Sequence, residues 1–222
     1  MEPVAVAIMA KAPRAGAVKT RLCPPLSFAD AAALYRCFLL DKIEQVRSLR
    51  TACPVIAYSP AEGRAFFEEA APNFVLLPQQ GADLGDRLAH SLGELLDRGH
   101  RGALAIDSDT PTLPLRFLEQ ALDLVMTPTI DVVLGPTEDG GYYLIGLRTV
   151  YGELFEAMAW STSQVLSETI RRAQASGLRV ACLPPWYDID TADDLARLRA
   201  TLAGSDGEAP RHTRGFLLER TR

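Results

Sequence analysis

Lys11, Arg14, Lys19 and Arg21 fall within eleven consecutive residues, KAPRAGAVKTR, that contain no acid. In a chain whose formal net charge is −5, such a cluster needs a reason. Gly16 allows the backbone to turn tightly and expose N–H groups. Lys19 and Arg21, one residue apart, suit the β and γ phosphates of a nucleotide or an anionic acceptor. A solvated basic turn is the simpler explanation of a generic charge run, but this run directly follows an apolar strand, where α/β proteins bind ligands. The loop is not a Walker A motif, and the G-x-G-x-x-G of dinucleotide folds is absent as well.

A second cluster is acidic. Asp107 and Asp109, in Asp107-Ser108-Asp109-Thr110-Pro111, place two carboxylates one residue apart after another apolar run. Hard oxygen donors this close together suit Mg²⁺ or Mn²⁺, which commonly bridges one or two carboxylates to substrate phosphates. Asp, Ser, Thr and Pro also begin helices, so a capping turn is the competing explanation. A third acidic segment, Asp188-Ile189-Asp190, precedes the last strong helix pattern and offers the remaining metal ligand, unless Asp190 or Thr191 only caps that helix.

Between them lies Thr137-Glu138-Asp139-Gly140-Gly141-Tyr142-Tyr143. As structure this is a hairpin turn. As chemistry, Gly140 and Gly141 let a ligand approach the backbone, Glu138 or Asp139 accepts sugar hydroxyls or acts as a base, and Tyr142 offers a stacking face. Gln79 to Gly85 forms a candidate nucleoside-side loop on weaker grounds. His90, His100 and His212 are isolated from one another and from cysteine, so packing or surface roles are expected for them. Trp160 and Trp186 read as packed aromatics by default. No G-x-S-x-G elbow is present.

The elements that must position these residues follow from hydrophobic patterning. Apolar runs at 4–10, 55–58, 74–77, 103–106, 131–135, 142–147 and 178–183 alternate with amphipathic stretches near 28–48, 60–70, 86–98, 114–126, 163–176 and 191–202. This alternation predicts an α/β fold in three α/β/α layers around a mostly parallel sheet. Ser27 with Asp30, Ser59 with Pro60 and Glu62, Ser161 with Gln164, and Thr191 with Asp194 are candidate helix starts. One domain is expected over residues 1–202, and the polar stretch from 203 to 222 reads as a flexible tail, loose or docked only by its last apolar residues.

With 222 residues, 48% hydrophobic and 23% charged, the chain is long enough to bury a substantial core. An acidic balance and a pI near 5.3 argue against nucleic acid or an anionic membrane as partner. Four scattered cysteines without a C-x-x-C pair and no signal or spanning segment fit a reducing, cytoplasmic setting. Oligomeric state is not readable from the pattern.

Taken in order, KAPRAGAVKTRL, LGDRL, DSDTPTL, EDGGYYLIGL, WSTSQVL and DIDTADDL resemble a bacterial family of small GT-A-type nucleotide-diphospho-sugar transferases, often labelled arsenosugar-biosynthesis-type glycosyltransferases. The resemblance spans about residues 4–200. The segments KTRL-x-P-x-LS and DIDT-x-x-DL are also similar to 2-phospho-L-lactate guanylyltransferase and its nucleotidyltransferase relatives. The resemblance implies a Rossmann-like GT-A fold, Lys19 and Arg21 on phosphates, Asp107 and Asp109 on the metal, and Asp190 as the later ligand. Where those guanylyltransferases carry a Gly-Thr-Asn acceptor segment this chain has Asp139-Gly140-Gly141, so their acceptor is not implied. The expected ligands are a nucleotide, either an NTP or an NDP-sugar, and a small-molecule acceptor. The two versions are nucleotidyl transfer to a small anionic acceptor and glycosyl transfer. A nucleotide-sensing module without catalysis is a third reading.

Overall fold

The computed structural model describes residues 2–204 and 210–219. Strands β1 (Val4–Lys11), β2 (Ala52–Ser59), β3 (Val75–Pro78), β4 (Ala103–Ile106), β5 (Val132–Pro136), β6 (Tyr142–Leu147) and β7 (Val180–Cys182) form one sheet in the order β3-β2-β1-β4-β6-β5-β7. Pairing is parallel except at β6, which runs antiparallel to both β4 and β5. The predicted mostly parallel α/β architecture is therefore observed.

Helices α1 (Phe28–Arg47), α2 (Arg64–Ala70), α3 (Leu84–Asp97), α4 (Leu115–Met126), α5 (Val165–Ala175), α6 (Ala192–Ala203) and α7 (Arg211–Glu219) cover it. Side chains alternate across each strand, so β1 feeds two cores. Val4, Val6, Ile8 and Ala10 pack with α1, α2, α4, α6 and Leu217 of α7. Ala5 and Ala7 face the opposite layer, made by α3 and α5. Each fully buried Leu or Ile in these clusters contributes roughly 1.5–3 kcal/mol relative to exposure.

The helix starts at Ser27 and Thr191 form as expected. Ser27 Oγ accepts the Asp30 N–H at 3.1 Å, and Thr191 with Asp194 makes a full capping box. The starts expected at Ser59 and Ser161 differ: a 3-10 turn over Ala61–Gly63 leads into α2, and α5 begins at Val165 after Gln164, neither with a side-chain cap. At the start of α5 the Gly140 carbonyl accepts the Leu166 N–H at 2.9 Å instead.

The stretch expected to be a flexible tail contains a helix. Within that stretch, residues 205–209 and 220–222 lie outside the described residues, while Arg211–Glu219 is helical and docked on α1. Its anchor is polar and distant in sequence: Asp41 of α1 accepts the backbone N–H groups of His212 and Thr213, both at 2.9 Å, and the Thr213 hydroxyl. Glu44 pairs with Arg211 and, at 3.1 Å, with the His212 ring. These contacts satisfy donors that a helix start otherwise leaves open.

Candidate active site

The strand order reverses at β1. From it β2 and β3 extend one way, and β4 lies on its other side, which creates a crevice at the carboxyl ends of β1 and β4. The segments leaving those two ends are the basic loop and the Asp107-Ser108-Asp109 turn. They enclose a cavity of about 510 Å³ whose walls include Lys11, Lys19, Arg21, Asp107, Asp109 and Asp190.

Main-chain bonds hold this edge together. The Asp107 N–H donates to Tyr143 O on β6 at 2.9 Å, and the Ile189 N–H donates to Asp109 O at 3.0 Å. The second bond brings Asp188 and Asp190, remote in sequence, beside Asp109. Ser108 Oγ donates to Met9 O at 3.1 Å and lies 2.9 Å from the Tyr35 hydroxyl, which also receives the Lys11 N–H. Burial, followed by the Asp109 charge, raises the Tyr35 phenol above its ordinary value, so it stays protonated.

The ammonium of Lys19 lies between two acids, 3.0 Å from Asp109 Oδ1 and 2.8 Å from Asp190 Oδ1. Its side chain is only 5% exposed. Burial alone would lower its pKa, but the two carboxylates outweigh burial and hold it above the usual lysine value. Arg21, largely exposed, reaches the other Asp190 oxygen at 3.3 Å. Lys19 has a left-handed backbone, φ 49° and ψ 35°, as the chain enters a 3-10 turn over Thr20–Leu22. Such a conformation is uncommon for a residue other than glycine.

Beneath the acid turn lies a buried relay. Lys42 of α1 donates to Thr110 O and Thr110 Oγ1, both at 3.0 Å, and to Gln45 Oε1 at 3.1 Å; Thr110 Oγ1 donates to Asp107 Oδ1 at 2.6 Å. Burial raises the Asp107 carboxyl against the opposing pull of Lys42, and lowers the Lys42 ammonium. Asp188, pushed up to about 6 by burial and then by Asp190 and Asp139, adds to this concentration of negative charge.

The residues suit a hard divalent cation. Asp107, Asp109 and Asp190 offer carboxylate oxygens to one cavity, and a cationic group, the Lys19 ammonium, already sits between two of them. These three do not form a closed cluster as they stand. Among the described residues, the group of metal-ligand type whose donor atoms gather within 4.8 Å is Asp41, Glu44 and His212. Those carboxylates are the ones already engaged in anchoring α7.

Other expected site residues lie apart from this cavity. Arg14 and Gly16 are exposed on the basic loop, and Gly16 has a φ of +77°. Asp139 is tied into its own turn, accepting from Thr137 Oγ1 at 2.6 Å and the Gly141 N–H at 3.0 Å. Gly140, at φ +91°, leaves no room for a side chain against the Ser163 backbone. Glu138 is paired with Arg197, whose hydrogen bonds hold its carboxyl below the usual range. Tyr142 packs edge-on against Trp160 with its hydroxyl buried, and a side chain at Gly85 would press on the same Trp160. Gly85 and Tyr142 thus meet around one indole.

Sequence reasoning missed Tyr35, Lys42, Arg87 and Ser161 as parts of this site or its support. Arg87 sits one helical turn into α3, within LGDRL, and lines the cavity with Gln79 and Leu84. LGDRL, one of the segments that carry the family resemblance, contains it, but no role is read there for the arginine. Tyr35 and Lys42 lie on a helix face that reads as core, so no local signal singles them out.

The crevice, its basic loop and its acid turn define a protein with a nucleotide-diphospho-sugar-transferase-type fold. Residues 42–162 match the family described as uncharacterized protein conserved in bacteria (DUF2064), and the chain belongs to it. A crystal structure from Desulfovibrio desulfuricans G20, of a protein named as a candidate nucleotide-diphospho-sugar transferase, superposes with a TM-score of 0.92 at 32% identity, over 100% of this chain and 96% of that one. CMP:2-keto-3-deoxy-manno-octonic acid synthetase complexed with CTP shares the fold, with a TM-score of 0.58, 13% identity and coverage of 91% and 99%. So does a Mycobacterium tuberculosis H37Rv protein solved with manganese, with a TM-score of 0.51, 19% identity and coverage of 88% and 97%. No curated protein is significantly similar to the chain.

Proposed function

We propose that the protein is a metal-dependent transferase that transfers a nucleotidyl group from an NTP to a small anionic acceptor. The observation that carries this reading is that one cavity is walled by Lys11, Lys19, Arg21 and Arg87 together with Asp107, Asp109 and Asp190. A triphosphate brings more charge than a diphosphate-sugar, and pyrophosphate must be stabilised as it leaves. The basic loop meets both needs. In the reaction an acceptor oxygen bonds to the α-phosphorus while the bond from that phosphorus to the pyrophosphate oxygen breaks. A phosphate acceptor needs no general base, because its second pKa is already about 6.

Asp107, Asp109 and Asp190 would hold Mg²⁺ or Mn²⁺, which when bound supplies positive charge to the phosphates. Lys19 and Arg21 bind phosphate oxygens, with Arg14, Lys11 and the backbone turn at Gly16 extending the anion site. Tyr35 and Ser108 fix the acid turn against β1. Lys42, acting through Thr110, fixes the orientation of Asp107. Gln79 and Leu84 stand where a base or nucleoside meets the cavity wall. Asp139, tied into its own turn through Thr137 and the Gly141 N–H, keeps the β5–β6 hairpin in place.

Glycosyl transfer from an NDP-sugar is the second reading, favoured by the name of the Desulfovibrio desulfuricans relative. There an acceptor attacks the anomeric carbon and the nucleoside diphosphate departs. Incubation with each NTP and each common NDP-sugar, with Mg²⁺ or Mn²⁺ and a panel of phosphorylated and hydroxylated acceptors, separates the two. Acceptor-dependent release of pyrophosphate, lost in Asp109→Asn, is the expected result; acceptor-dependent release of nucleoside diphosphate would overturn it in favour of glycosyl transfer. Lys19→Ala is expected to reduce turnover more with a triphosphate than with a diphosphate-sugar.

A further inference from the structure

We infer that Lys19 is an exchangeable counter-cation: it neutralises Asp109 and Asp190 until a divalent metal displaces it, and the displaced ammonium then pairs with the nucleotide phosphates. The inference rests on the proposed metal and nucleotide site and adds how its two ligands depend on each other.

The geometry points to one position claimed by two cations. Lys19 Nζ is 3.0 Å from Asp109 Oδ1 and 2.8 Å from Asp190 Oδ1. A divalent metal binds carboxylate oxygen at about 2.0–2.6 Å, so it cannot share these two oxygens with an ammonium in the same place. Asp107 is engaged separately through Thr110 and does not bond Lys19, which leaves the Asp109–Asp190 pair as the contested element. Lys19 is also well placed to leave. It sits on the loop after β1 rather than on a helix or strand, in a left-handed backbone conformation at the entry to a 3-10 turn, and it lines the cavity that would receive phosphate. Arg21, bonded to the second Asp190 oxygen, follows the same logic more weakly because it is already largely exposed.

The physical consequence is coupling. Metal alone must displace an internal ammonium with nowhere favourable to go, so it binds weakly. Nucleotide offers that ammonium an anionic partner, so metal and nucleotide each strengthen the binding of the other by the same factor. Free metal is then kept off the carboxylates until substrate is present.

The test is titration of the full chain with Mn²⁺ alone, followed by the electron paramagnetic resonance of free Mn²⁺. It uses wild type, Lys19→Met, Lys19→Arg and the double variant Lys19→Met/Asp190→Asn. Lys19→Met, which keeps the length of the side chain and removes its charge, is expected to bind Mn²⁺ about tenfold or more tightly than wild type. Lys19→Arg, still cationic, is expected to stay near wild type, and the double variant to lose the gain. Thermal melts identify any variant that fails to fold, and Lys19→Arg with wild type then carry the comparison: Arg binding Mn²⁺ much more tightly than wild type overturns the exchange. A folded Lys19→Met with unchanged or weaker affinity also overturns it, while metal-dependent turnover by wild type leaves the proposed function standing. Turnover that persists in chelator, with no Mn²⁺ bound by any form, overturns the metal site itself and with it both readings.

Discussion

Burial and the nearby charges of Asp190 and Asp139 bring the Asp188 carboxyl to about 6, from an ordinary 3.8. A raised acid favours the folded state when protonated. Its contribution is full below pH 4 and is lost as the pH rises through 6, so at neutral pH the charge opposes folding. Asp188→Asn keeps the shape without the charge. Because the side chain is only half-buried and partly screened, the gain at pH 7 is roughly 1 kcal/mol, or about 2–4 °C in melting temperature. Calorimetry of both proteins at pH 7 and pH 4 should show that gain at the higher pH and none at the lower; a gain of equal size at both would assign it to packing. At this scale Lys19, Arg21, Asp107, Asp109 and Asp190 were legible because several charged residues follow strands with no local structural need for them. Arg87 and Lys42 were not, since one reads as a helix surface charge and the other lies in an apolar helix face, its ammonium satisfied by Thr110, 68 residues on.

Among the elements, α1 carries two neighbouring anchors: Asp41 holds the start of α7, and Lys42 holds Thr110 behind the acid turn. Asp41→Ala leaves the His212 and Thr213 N–H groups and the Thr213 hydroxyl without their acceptor in a buried setting, at a cost of about 1–3 kcal/mol. Hydrogen exchange should then show protection lost across Arg211–Glu219 while β1 keeps its own. Full protection of α7 in the variant would mean that Leu217 and the Glu44 contacts suffice to hold it. Helix starts at Ser27 and Thr191 were legible because their caps lie three residues away. The start of α7 was not: its acceptor comes from Asp41, 171 residues earlier than His212, and a stretch beginning GSDGEAPRHTRG shows no helical apolar face by itself.

For the whole molecule, the alternation of apolar runs and amphipathic stretches disclosed the layers, and the rule that ligands bind at carboxyl ends of strands located the crevice. The direction of β6 was legible only from the hairpin turn that joins it to β5, because a strand buried on both faces reads as the same apolar run whichever way it points. A net charge of −5 means that affinity for a polyanionic substrate comes from the local basic loop rather than from the overall field. A matched NTP with Mg²⁺ at about a hundred times its Kd adds roughly 2.7 kcal/mol, a rise on the order of 5–10 °C in melting temperature. A thermal-shift panel of four NTPs and common UDP-, GDP- and ADP-sugars, with metal or chelator, should show that rise for one NTP with metal; a response confined to sugar nucleotides would favour glycosyl transfer. The place of β1 in the sheet has a further consequence during synthesis. Its partners are β2 on one side and β4 on the other, so one hydrogen-bonding edge of the first strand waits until Ala103–Ile106 has been made. At about 5–20 residues per second that wait is on the order of 5–20 s, during which an apolar strand edge is open to any other chain nearby. An apolar edge of β1 is therefore open to aggregation for as long as the chain between it and β4 is being made.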